Sequence, residues 1–206
     1  MTATVAILLS ALLLAFYDLT KKHSVRENAV ISVLVLATLA GFLFYAVALA
    51  CAGRLACVEA VTARQSLLIL AKSLLVGTSW TFVYYAMRAL PISIVAPLRA
   101  SAPFWTLVGA VLLFGEMPTL PQGIGMAFVI LGYLAFSLAG QMEGVKFLRH
   151  PGIRLVFLGT LLGAASSLYD KYLLQREGMN REMMQFWFSF DLTVLLGAYW
   201  LGRRLF

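Results

Sequence analysis

The sequence predicts an all-α fold, a polytopic membrane helix bundle of seven spans, on three observations. Of its 206 residues, 62% are hydrophobic and 12% charged, with a mean hydropathy of +0.90, too apolar for a soluble domain of this size. Apolar runs recur at close to the ~17 to 25 residues that a helix needs to cross ~30 Å of hydrocarbon. The stretches between them are short and charged, which suits a bundle whose loops cannot satisfy their backbone groups in lipid.

In chain order the runs cover residues 3–19, 29–50, 67–87, 92–114, 122–139, 153–174 and 184–201. The first is short enough for a signal peptide. It lacks a basic leader and a convincing small-x-small cleavage site, and it runs into Asp18 and Lys21-Lys22, so it reads as a span. The fourth contains Pro97 and Pro103; each removes a backbone donor and frees a carbonyl, which predicts a broken helix. A turn from Gly115 and Glu116 to Pro121 and Gln122 leads into the fifth, with Gly115 ending one helix and the prolines marking the turn and the next start. Gly123, Ala127 and Gly132 recur along the fifth at a spacing that predicts close packing against the fourth.

An internal repeat emerges when the sixth span is laid on the first. Ala15-Phe16-Tyr17-Asp18 matches Ser167-Leu168-Tyr169-Asp170, each with a lysine just beyond, and Gly53-Arg54 and Gly202-Arg203 follow at similar distances. Five spans precede the second copy, an odd number, so it enters the membrane inverted. The expected organisation is a five-helix repeat over 1–140, a connecting loop over 141–151, and the first two helices of an inverted second repeat over 152–206.

Tyr85-Ala86 closing the third span, Pro97 and Pro103 inside the next, Leu113-Phe114-Gly115-Glu116, and Gln122-x-x-Gly125 opening the fifth together resemble EamA-type members of the drug/metabolite transporter superfamily. Gly115, Glu116 and Gln122 form the most specific part, a turn joining two spans. The resemblance implies ten spans in two five-helix repeats, with the substrate path between them. It implies movement of a small organic metabolite by alternating access, and a structural role for Glu116, capping the following helix. No counterpart of residues 67–140 follows the second repeat's start. A fragment of a longer chain is therefore expected; the alternative is a non-transporting or partner-dependent seven-span subunit, completed by a second chain or a dimer.

Charged residues inside spans are the leading site candidates, because an ion at depth must face water or a partner. Arg99 lies ~12 Å into the fourth span by helical rise, as an anion-binding group or paired with a carboxylate such as Asp191. Pro97 and Pro103 bracket it and offer freed carbonyls to the path. In the third span Trp80, Tyr84 and Arg88 share a face, with Trp80 and Tyr84 as an aromatic wall. Lys72 is expected to snorkel. The repeat-related Asp18, with Lys21 or Lys22, and Asp170, with Lys171, are gate or coupling candidates, and Asp191 joins them.

The net charge of +7 is scattered over short loops and never forms a basic stripe beside aromatics, which points to lipid headgroups and away from nucleic acid. One side collects Lys21, Lys22, Arg26, Arg88, Lys146, Arg149, Arg154, Arg203 and Arg204, the other Arg54, Arg64, Arg176 and Arg181. The positive-inside rule then puts the N-terminus outside, whereas the resemblance implies the cytoplasm. Cys51 and Cys57 lack a CxxC pattern, His23 and His150 sit in loops, and there is no GxSxG or HExxH, so neither an enzyme nor a metal site is supported. No cofactor is implied. The expected partners are the lipid bilayer and a small anionic or zwitterionic solute, and the expected location is the plasma (inner) membrane.

Overall fold

In the computed structural model the backbone is described over residues 2–58, 61–141 and 150–205. Residues 142–149, with Lys146 and Arg149, lie outside the described residues. The helices are α1 (Thr2–Glu27), α2 (Val30–Cys51), α3 (Ala63–Ala89), α4 (Ile92–Ala100), α5 (Ala102–Phe114), α6 (Leu120–Gln141), α7 (Pro151–Gln175) and α8 (Arg181–Leu205), with a short 3-10 turn at Leu55–Val58. Val30–Cys51, Ala63–Ala89, Ile92–Phe114 and Pro151–Gln175 are each long and apolar enough to cross a membrane.

Local chemistry accounts for the ends. Thr62 and Gln65 form a reciprocal capping box that starts α3. His150 Nδ1 accepts from Gly152 N at 3.1 Å at the head of α7. Gly115, at φ 68°, ends α5, because only glycine takes the left-handed conformation without a Cβ penalty. The fourth span does break, at Ser101, where Ser101 N turns to Leu98 O at 3.3 Å and Pro103 occupies the first turn of α5. Pro97 lies inside α4.

α3 is the hub, packed against α1, α2, α7 and α8. Ser79 Oγ donates to Gly159 O at 2.7 Å and Tyr169 Oη to Leu68 O at 3.2 Å, so α7 runs antiparallel to α3. Ser73 Oγ reaches Phe188 O at 3.4 Å, and a Cβ on Gly77 would lie 3.1 Å from Leu192, so α8 runs parallel to it. Tyr17 at Tyr84, with Lys22 at Leu90 O, sets α1 parallel as well. The two helices carrying the Tyr-Asp repeat therefore run in opposite directions along α3. Ile69, Tyr84, Met87, Val95, Val156 and Leu192 fill the core between them.

Outward, Leu12, Phe16, Phe44, Leu112, Phe128 and Leu131 are exposed on α1, α2, α5 and α6, an apolar mantle that a water-soluble protein does not present. The close packing expected at Gly123, Ala127 and Gly132 is not there. A Cβ on Gly123 or Gly132 would meet nothing within 4 Å, although α6 does pack against the fourth span, chiefly on its α4 half. Close approach to a neighbouring backbone lies in the α3–α7 seam instead, where a Cβ on Gly159 would meet Val83 at 2.7 Å and Ser79 O at 3.0 Å. Gly159→Val is expected to cost about 1–3 kcal/mol through overpacking, and Gly123→Val close to nothing. Equal thermal unfolding midpoints for the two variants in detergent would contradict this seam.

Candidate functional site

Five helices converge on a cavity of about 130 Å³ whose lining includes Lys21, Trp80, Tyr84, Arg99, Ala102 and Thr160. α1 carries Asp18 and Lys21 one turn apart, while Trp80 and Tyr84 lie one turn apart on α3. Arg99, in the last turn of α4, donates from Nη1 to Asp18 Oδ2 at 2.7 Å. Lys21 Nζ lies 3.5 Å from Asp18 Oδ1. The same ammonium stands 3.8 Å from the Tyr17 ring centroid, 5.4 Å from that of Tyr84 and 5.9 Å from that of Trp80. Two cations, one carboxylate and an aromatic wall thus form a single cluster. The hydroxyls of Ser79 and Thr160 donate to Gly159 O and Val156 O, each at 2.7 Å.

A second ionic site lies nearer the other end of α3. Lys72 is 4% exposed, and its Nζ meets Asp170 Oδ1 at 2.7 Å and the Phe188 ring centroid at 4.4 Å. Lys72 and Tyr84 are separated by ~18 Å of helical rise. Between α5 and α7 a wider groove of about 540 Å³ is lined by Phe114, Leu168, Tyr169, Tyr172 and Arg176 among others.

Of the candidates named from the sequence, Trp80, Tyr84 and Arg99 come together at the first cavity, with Asp18 behind them. Arg99 pairs with Asp18, not with Asp191; Asp191 lies on α8, and α4 packs against α6 and α7 instead. Tyr84 is 2% exposed and so lies inside the bundle, not in an interfacial belt. Arg88 points outward. Pro97 and Pro103 shape the α4–α5 break and are not among the cavity-lining residues.

Of the two lysines expected beside Asp18, Lys21 is the one that pairs with it. Lys22 donates to the carbonyls of Met87 and, at 2.6 Å, Leu90, tying α1 to the end of α3. Asp170 pairs across the seam with Lys72 and not with Lys171, so Lys72 is a buried structural ion and does not snorkel. Lys171 pairs with Glu116 and lies 4.9 Å from the Phe114 ring centroid. The start of α6 is capped by Gln122, whose Oε1 accepts from Thr119 N at 2.9 Å, so Glu116 does not cap it. The Glu116 carboxylate is 54% exposed, so Glu116→Gln is expected to change stability by less than ~1 kcal/mol. A larger drop in the unfolding midpoint would mean that the pair is shielded from water.

Sequence reasoning missed Lys21 as a cavity residue and Lys72 as a partner of Asp170. Lys21 had a signal, since it follows Tyr17 by four and Asp18 by three, the spacing of one helix face. Lys72 had only its depth in an apolar span, which a long side chain can also satisfy by snorkelling. Among the described residues no group of three or more His, Cys, Asp or Glu could hold a metal ion.

These features define an integral membrane helix bundle with a charged, aromatic-lined cavity among its helices. Residues 1–138, about two thirds of the chain, match the EamA-like transporter family, and the chain belongs to that family. The family is one of membrane transporters of small molecules, not of enzymes. No curated protein and no solved structure matches the chain.

Proposed function

We propose that this protein moves a small organic metabolite across the plasma (inner) membrane by alternate opening of a path between α1, α3, α4 and α7. The observation that carries the reading is the cluster of Arg99, Lys21, Trp80 and Tyr84 around one partly open cavity. Ions and aromatics at depth need a reason, and a solute path supplies one. The antiparallel course of α1 and α7 along α3 supports inverted repeats. The chain reconstituted in vesicles loaded with a mixture of metabolites should release some of them selectively, as followed by mass spectrometry of the external medium. Release no faster than from protein-free vesicles would sink the reading.

A second reading is favoured by one observation, that Asp170 and Lys72 pair with each other away from the cavity. On that reading the chain is a helical subunit that stabilises a partner or a second copy of itself. Stoichiometric co-purification with another chain, together with flux only when both are present, would favour it.

A further inference from the structure

Resting on the transport reading, we infer that the cavity takes the carboxylate head of an organic monoanion, and that this head enters in exchange for Asp18 on Arg99. The wall carries the two cations, Lys21 and Arg99, while Asp18 is not part of it. Asp18 touches both, at 3.5 Å and 2.7 Å. Three charges therefore sum to one positive charge facing a partly open cavity. The hydroxyls of Ser79 and Thr160 already donate to backbone carbonyls, so selection for the sign of charge falls to the ammonium and the guanidinium.

Size and shape narrow the class. At ~30 Å³ per water, the cavity volume of about 130 Å³ suits a carboxylate with a small apolar body, which the faces of Trp80 and Tyr84 flank. Arg99 meets Asp18 through a single Nη1 bond, and its planar fork takes a carboxylate through two. A monoanion neutralises the site. A phosphate dianion overshoots it, a neutral amide leaves it charged, and a zwitterion brings an ammonium against two cations.

The exchange gives Asp18 a testable signature. As an internal competitor for Arg99 it weakens binding, so Asp18→Asn should tighten carboxylate binding at least threefold, whereas a purely structural aspartate would leave affinity unchanged or lower it. The test is thermal unfolding of the full chain in non-ionic detergent, titrated with benzoate, propionate, benzamide, benzylamine, phosphate and glycine at constant ionic strength. Benzoate or propionate should raise the midpoint in a saturable way, as a ligand of the native state does, with the other four inert. Arg99→Gln should abolish the shift. Should that variant fail to fold, Arg99→Lys and Lys21→Met should each weaken the apparent Kd about tenfold.

A benzamide shift equal to that of benzoate, a larger shift with phosphate or glycine, no shift with either carboxylate, or unchanged or weaker benzoate binding in Asp18→Asn would each overturn the assignment. Failure of transport itself is separable. Carboxylate binding with no solute flux in vesicles would keep this site and sink the transport reading, whereas flux of a neutral or cationic solute insensitive to benzoate would do the reverse.

Discussion

Asp170→Asn is expected to cost about 1–3 kcal/mol of stability, the range for leaving a buried polar group unsatisfied and less than for a fully buried ion pair, because the Asp170 carboxylate is 35% exposed. Lys72 is almost wholly enclosed by α3, α7 and α8, with Asp170 as its ion-pair partner among the described residues. Without that carboxylate the ammonium keeps its desolvation penalty and loses its compensation, and the Phe188 ring at 4.4 Å supplies only a fraction of it. The double variant Lys72→Met with Asp170→Asn is expected to recover most of the loss, since it removes both the attraction and the penalty. Unfolding in mixed detergent micelles measures both. A single-variant cost below ~1 kcal/mol would mean that Lys72 reaches water and the pair behaves as a surface bridge.

Arg99→Ala is expected to abolish movement of the true substrate while leaving membrane insertion intact. Loss of the two hydrogen bonds of the charged fork, each about 1.5–3 kcal/mol, corresponds to at least roughly 150-fold in flux at limiting substrate. Insertion should survive because Asp18, freed of Arg99, keeps Lys21 at 3.5 Å as a counter-ion. Arg99→Lys should retain part of the activity, since it restores the charge without the fork. Unchanged flux in Arg99→Ala, measured at equal protein content in vesicles, would remove Arg99 from the path.

The elements differ in how legible they were. The α4–α5 break followed from two prolines within seven residues, and the end of α5 from one glycine, because both are effects of the local backbone. The gathering of Trp80 and Tyr84 followed from their spacing on one helix face. Their meeting with Arg99 did not, since it depends on α4 packing against α7 and reaching α1 through Asp18. The small residues of α6 misled for a related reason: a glycine permits close approach without requiring it, and the approach occurred at Gly159.

The sequence by itself determined where the helices run, that they build an all-helical membrane bundle, where the turns fall, and the family signature around Gly115, Glu116 and Gln122. Hydrocarbon thickness and backbone hydrogen bonding impose those features on each short stretch independently of the rest. Only the tertiary structure decided which ion meets which: Asp18 with Arg99 and Asp170 with Lys72, rather than the neighbours Lys22 and Lys171. An ion pair forms where two helix faces meet within a few ångströms, and a residue's place along the chain does not state which faces those are.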